Sequence, residues 1–253
     1  MYNILRISTS GMIANQEKIN IASNNIVNSQ TTGYKKLDVG FLDLYTKSLE
    51  SDYNPNSSNG SLTGIGSKIT DPTRNMVQGA LKSTEIDTNL AIDGEGFFGV
   101  IRSDGSHCLT RNGEFSLDAN GTLVDDYGNK VDITYINGFN QENTDLSNGK
   151  LNINKEGQIY LDDEMVGKIN IYTTEGTNDL VSIGDSLFAL KEDAKAYIYE
   201  GSDIRQGYVE TSNVDLSKEM TDLITVQRAF QFNSKSVQSV DEMWSMINNL
   251  QSR

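Results

Sequence analysis

The chain has 253 residues, with 35 acidic against 21 basic side chains and a formal charge of −14. One Cys excludes an internal disulfide and any cysteine-built metal cluster, and one His excludes a multi-histidine metal site within a single chain. That excess of negative charge argues against a nucleic-acid partner, because affinity for phosphates rests on Lys and Arg. Only 36% of the residues are hydrophobic. No stretch approaches the ~18 consecutive apolar residues of a spanning helix, so no membrane insertion is expected. The opening MYNILRISTSGMIANQEK lacks the charged-then-apolar build of a secretory signal, so a cleaved signal is not expected either.

Taken in chain order, Leu5, Met12, Ile19 and Ile26 recur every seven residues, with Ile4, Gly11 and Ala22 beside them. This pattern predicts an amphipathic helix with a narrow apolar seam over about residues 3–28, roughly 40 Å long at ~1.5 Å per residue. Residues 36–87 read as a connecting segment. Within it, Phe41-Leu42-Asp43-Leu44-Tyr45 reads as the beginning of a short helix, and SDYNPNSSNGS (51–61) as a flexible loop.

Residues 88–207 read as β structure. Asp104-Gly105, Asn120-Gly121 and Glu156-Gly157 each separate two strand-like runs, and such dipeptides are strong hairpin signals. No helical pattern alternates with these strands, so a parallel doubly wound sheet is excluded and a small antiparallel sandwich or barrel is expected.

At the C-terminal end, Leu216, Leu223, Phe230, Val237 and Trp244 are again spaced by seven. Val226, Val240 and Ile247 run three residues behind them, with Asn233 as the one polar member. Neither Gly nor Pro occurs after Gly207, and Ser212-Asn213-Val214-Asp215 is rich in capping side chains. A helix over about 214–250 follows, on the order of 55 Å long. The expected fold is therefore α+β. Long N- and C-terminal helices (1–35 and 208–253) form a coiled-coil domain, joined to a central antiparallel β domain. Pairing the two helices with each other or with neighbouring subunits would bury both seams, so self-assembly is expected through Leu5, Met12, Ile19, Ile26, Leu216, Leu223, Phe230, Val237, Val240, Trp244 and Ile247.

The motifs that suggest chemistry have plainer readings. GEGFFG (94–99) matches the dinucleotide fingerprint in letters, but a strand follows it where that fingerprint requires a helix. DANGT (118–122) begins like a calcium loop, yet Gly121 falls at its fourth position and Asn129 at its twelfth, so a hairpin turn is expected. His107 and Cys108 are adjacent on a strand and point to opposite faces, which prevents a nucleophile pair. Asp125-Asp126 and Asp162-Asp163 sit in turn-like sequence. No acid, base and nucleophile come together, so neither catalysis nor a cofactor nor a small-molecule substrate is expected. A rival reading makes the β region a carbohydrate-binding module that uses some of the 11 Tyr and 8 Phe as stacking surfaces.

SNNIVNSQTTGYKK (23–36) resembles the signature that follows the first helix in bacterial flagellar rod and hook proteins. GYVETSNVDLSKEMTDLITVQRAFQFNSKSVQSVDEM (207–243) resembles their second signature, and NLAIDGEGFFGV with LTRNGEFSLDANGTLVDDYGNKV resembles their β region. The chain is thereby identified as a member of the flagellar basal-body rod protein family. Gly207–Val214 and Gln227–Phe230 favour the distal-rod type over the proximal-rod type, and the hook type is disfavoured because its large outer insertion is missing. The positions carrying the resemblance are Asn24, Asn25, Asn28, Thr31, Gly33, Tyr34, Ser212, Asn213, Val214, Gln227 and Arg228. Val27 departs from it, standing where the family usually has a small residue.

The resemblance implies a self-assembling structural subunit of the axial drive shaft, with other rod and hook subunits and the flagellar type III export apparatus as partners. It also implies that Asn24, Asn25 and Asn28 satisfy backbone groups where the first helix ends, and that Gly33 turns the chain with positive φ.

Overall fold

The computed structural model describes residues 2–44, 46–48, 62–64, 66–136, 146, 149–162, 164–176, 179–191 and 194–251. The loop expected at 51–61 lies outside them, as do Tyr45 and Asp163. The described chain is α+β, with a helix at each end and antiparallel strands between. It divides into two units. A helical unit comprises residues 1–27, 37–73 and 215–253, and a β unit comprises residues 28–36 and 74–214. Residues 28–35 therefore belong with the strands, whereas the sequence grouped them with the helices.

In the helical unit, α1 spans Tyr2–Val27 and α2 spans Leu216–Gln251. Asp215 caps α2: its Oδ1 accepts from the backbone N–H groups of Ser217 at 3.0 Å and Lys218 at 3.2 Å. These would otherwise be orphan donors of the first turn. The run beginning at Phe41 is not helical. Phe41–Asp43 is a strand paired antiparallel with Ser67–Ile69, Phe41 opposite Ile69 and Asp43 opposite Ser67. A run of five residues is too short to nucleate a helix in isolation, and the facing strand satisfies the same backbone groups. A second short pair, Thr46–Ser48 with Leu62–Gly64, continues this ribbon.

The β unit holds a nine-stranded sheet organised around Phe97–Ile101, which is bonded to His107–Thr110, Lys130–Val131 and Ile171–Thr174. A four-stranded sheet runs in the order Ile133–Tyr135, Glu164–Ile169, Gln158–Leu161, Leu151–Ile153. All the pairings are antiparallel. The three expected hairpins form, with Gly105, Gly121 and Gly157 at φ of 82°, 69° and 80°. Phe98 and Val100 from the larger sheet share one apolar core with Ile153, Ile159, Val166 and Ile169 from the smaller. Phe98 is packed edge-on against Phe115, with ring centroids 5.3 Å apart.

Candidate assembly faces and the signature junction

In the helical unit the two helices run antiparallel. Asn25 of α1 donates to Glu219 Oε2 of α2 at 3.2 Å, and Gly11 lies so close to Asn233 that an added Cβ would sit 2.8 Å from its Nδ2. The heptads singled out the buried rows only in part: the second row of α2, Val226, Asn233 and Val240, turns inward, whereas the leading rows of both helices do not. On α1 the buried row is Ser8, Asn15 and Ala22, each three positions beyond Leu5, Met12 and Ile19. On α2 it is Glu219, Val226 and Val240, with Asn233 half-buried between them, again three positions beyond Leu216, Leu223, Phe230 and Val237. The α1 side of the inner face is thus small or polar, and the α2 side alternates Glu219 and Asn233 with Val226 and Val240. Gly11 and Ala22 permit close approach of the backbones, and Asn25 answers the Glu219 carboxylate.

The expected seam residues are then only partly covered. Met12, Ile19, Ile26, Leu223, Phe230 and Val237 are half-buried, while Leu5, Leu216, Trp244 and Ile247 are exposed. Val240 is the one seam residue that lies fully inside. Leu5, Val237, Gln238, Asp241 and Trp244 border a groove of about 390 Å³. A further apolar ridge, which shares only Leu216 with the heptad rows, runs at intervals of four along α2 through Leu216, Met220 and Ile224, and Phe232 continues it beyond Arg228. Ile224 and Phe232 are 59% and 68% exposed. The signal for this ridge was present as apolar residues at i, i+4 spacing, but the stronger seven-residue repeat masked it.

Asn25 satisfies a backbone group, as the resemblance implied, but of a different segment. Its side chain brackets Leu37, donating to the carbonyl and accepting from the N–H, both at 2.9 Å. Asn24 is exposed on α1, and Asn28 begins a 3-10 turn in which its carbonyl accepts from Thr31 N–H. Val27 is exposed, so its extra bulk crowds nothing. Gln227 and Arg228 lie on the outer surface of α2, with Arg228 donating to Gln231 at 3.1 Å.

In the β unit, the two end signatures meet. Gly33 has φ 68° and donates its N–H to the Glu210 carbonyl at 2.8 Å. A Cβ at Gly33 would lie 2.5 Å from Asn112 N, so this position admits only glycine without rearrangement. Tyr34 offers its carbonyl to Asn213 N–H, and the Ser212 hydroxyl accepts from Val214 N–H at 3.4 Å.

Below this turn, Glu210 forms the centre of a buried ionic cluster. Its Oε1 accepts from Lys35 Nζ at 2.6 Å and from Gly79 N–H at 2.8 Å, and its Oε2 accepts from Arg111 Nε at 2.5 Å. Lys35 also donates to the Val77 carbonyl at 3.0 Å, and the Arg111 guanidinium donates to the carbonyls of Ile92, Gly94 and Gly96. Lys35 and Glu210 side chains are 2% and 1% exposed. Burial pushes the Lys35 ammonium below its ordinary range; Glu210 opposes that shift and Arg111 reinforces it. Two cations on one carboxylate leave an excess positive charge, which the four backbone carbonyls absorb as acceptors. Sequence reading did not single out these three residues, although each sits inside a quoted signature: TTGYKK, LTRNGE and GYVET.

The turn chemistry elsewhere is structural. Gly94 and Gly96 both have positive φ and lead into a strand. Asp125 is buried as an acceptor for Tyr127 N–H, Asn129 N–H and Asn129 Nδ2. Asp162 Oδ1 accepts from Lys150 N–H. His107 is exposed and Cys108 buried, on opposite faces of one strand. Among the described residues no helix is long and apolar enough to cross a membrane, and no cluster of His, Cys, Asp or Glu could hold a metal ion.

Helices at both ends of the sequence, antiparallel strands between them, and two end signatures that meet within the β unit define a class of protein in which the two ends of the sequence act together. Three family profiles match in that same order. "Flagella basal body rod protein" covers residues 5–35, "Flagellar hook protein FlgE/F/G D1 domain" covers 91–183, and "Flagellar basal body rod FlgEFG protein C-terminal" covers 205–250. The chain is 34% identical to the flagellar basal-body rod protein FlgG of Borreliella burgdorferi over 99% of both chains. It is 34% identical to that of Agrobacterium fabrum over 96% of this chain and 97% of the relative. Identity to the Bacillus subtilis FlgG is 31% over 99% of each. The chain belongs to the flagellar basal-body rod protein family, alongside FlgG.

Proposed function

We infer that the protein is a structural subunit of the flagellar basal-body rod, of the distal type, and that its terminal helices associate with those of neighbouring copies in coiled-coil fashion to build a shaft that carries torque from motor to hook. Its place is the basal body, among other rod and hook subunits, after delivery by the flagellar type III export apparatus. The reading is supported above all by the apolar rows that α1 and α2 leave uncovered: Leu5, Ile7 and Ile13 on one helix, and Leu216, Met220, Ile224 and Phe232 on the other. A soluble monomer gains nothing from such exposure, whereas a tube of packed helices buries it.

Phe230→Asp and Ile224→Asp test the reading, because a charge in a desolvated helix interface is strongly unfavourable. Basal bodies from cells carrying either variant are expected to lack complete rods in electron micrographs, while the purified variants keep the circular dichroism of a folded β unit. Normal rods built from both variants would refute the role given to these faces.

A further inference from the structure

The chain passes between the helical unit and the β unit four times, after residues 27, 36, 73 and 214. A single connection lets two bodies swivel. Several connections resist twist only if their ends are fixed to one another, and inside the β unit they are. Asn213, one residue ahead of Val214 where the last crossing begins, uses its whole side chain for this. Its Oδ1 accepts from Lys36 N–H at 2.8 Å, and its Nδ2 donates to the carbonyls of Asn75 and Val77 at 2.8 and 2.9 Å. Lys36 precedes the second crossing and Asn75 follows the third, and Asn75 N–H donates directly to the Lys36 carbonyl at 2.9 Å. Arg74, the first residue after the third crossing, donates to the Lys35 carbonyl at 2.9 Å and is flanked by the rings of Tyr34 and Phe188 at 5.6 and 5.3 Å. Glu210 ties the same segments a second time, through Gly33, Lys35 and Gly79.

We propose that Asn213 and Glu210 form the hub of a torsion coupling, which fixes the chain crossings to one another so that twist passes through all of them together. This rests on the reading of the protein as a rod subunit under torque. It assigns Asn213 a positioning role separate from helix association, since none of the bonds at the hub involves the apolar faces of α1 or α2.

Asn213→Asp tests the coupling in the full chain. It keeps the size of the side chain and the acceptor for Lys36, but turns two donors into acceptors facing carbonyls. The expected result has three parts. The purified variant unfolds cooperatively. The amides of Gly33, Asn75 and Thr211, whose bonds the substitution does not edit, exchange at least about tenfold faster. Cells assemble rods that contain the variant, and their flagella turn at low load but fail as medium viscosity rises. Native rotation across the whole load range would overturn the coupling, and so would unchanged exchange at those amides or the absence of rods despite a folded variant. Should Asn213→Asp unfold, Asn213→Ser removes the same donors without adding charge and carries the same expectations. Labelling the native chain in purified basal bodies separates the two ideas. Absence from the rod sinks the rod reading itself, whereas presence in the rod together with an indifferent variant sinks only the coupling.

Discussion

The two units bury their apolar residues in opposite ways. The β unit closes on itself: Phe98, Val100, Ile159, Val166, Ile169 and Ile204 are each no more than 1% exposed, and in its buried ionic cluster Glu210 and four backbone carbonyls accept from both Lys35 and Arg111. The helical unit leaves many of its larger apolar side chains exposed or half-buried and places Ser8, Asn15, Asn25, Glu219 and Asn233, along with Val226 and Val240, on its inner face. Since hydrophobic burial is the dominant favourable term in folding, the first arrangement yields a unit that stands alone and the second yields one that needs neighbours. A buried polar row of this kind sacrifices stability for a defined helix pairing, as a single buried Asn does in helix dimers. On the proposed role, amphipathic helices in an assembly have two faces to satisfy, and the more apolar face is the one kept for neighbouring subunits.

The sharpest way to break that contrast is to damage the unit that closes on itself. Phe98→Ala should lower the stability of the β unit by about 3–5 kcal/mol, through lost burial plus the cavity left beside Phe115. Denaturant unfolding monitored by circular dichroism measures it, and a loss below about 1 kcal/mol would mean that this core is not the tightly packed one seen here. Glu210→Ala should have a loss of similar size, about 3–5 kcal/mol, because Lys35 and Arg111 remain buried without their carboxylate. Glu210→Ala together with Lys35→Met should recover part of it, since one of the stranded charges is gone.

Substitutions in the helical unit should be smaller in the isolated chain and larger in the assembly. Asn25→Ala removes both hydrogen bonds to Leu37 and the donor to Glu219, with an expected loss of about 1–3 kcal/mol confined to that unit. Accelerated exchange of the Leu37 amide, with β-unit amides unchanged, is the diagnostic result. Phe232→Ser should alter the stability of the isolated chain by no more than about 0.5 kcal/mol, because the side chain is already in water. Its effect should appear only in rod formation, scored by electron microscopy of basal bodies. A large loss of monomer stability would show that the ridge is covered within the chain, and the contrast between the units would fail.

How much of this was legible depends on the range of the signal. Helices, hairpins and the strand after Gly96 were readable because their patterns are local: a seven-residue period, Asp104-Gly105, Asn120-Gly121, and positive-φ glycines at turns. The inward row of α2 was readable as its second heptad row, Val226, Asn233 and Val240, but the inward side of α1 was not. The choice between the row of Leu5 and the row of Ser8 depends on which face its partner helix presents, nearly 200 residues away in sequence, as the Asn25–Glu219 bond illustrates. Phe41–Asp43 became a strand for the same reason, its partner Ser67–Ile69 lying across a long connection. The Lys35–Glu210–Arg111 cluster was hidden because three charges in separate polar stretches look individually like solvated surface.

The finest test concerns the polar bonds that the β unit completes within itself. Tyr172 donates its hydroxyl to Asp132 Oδ2 at 2.6 Å, and burial, followed by that carboxylate, pushes the phenol from 10.0 up to about 12. A group whose pKa is raised on folding binds its proton more tightly in the folded chain. Its contribution to stability is therefore fully present below pH 10.0 and is lost as the pH climbs from there to about 12. Absorbance titration of tyrosinate should show Tyr172 among the phenols that ionise late, beside Tyr127, Tyr135 and Tyr197, and Tyr172→Phe should remove one equivalent from the step near pH 12. In the native protein, unfolding midpoints should fall more steeply across this window than in Tyr172→Phe, by a modest amount because water reaches part of the ring and screens the pair. Identical profiles would mean that the Tyr172–Asp132 bond is open in solution, and that the β unit is less completely self-satisfied than its core suggests.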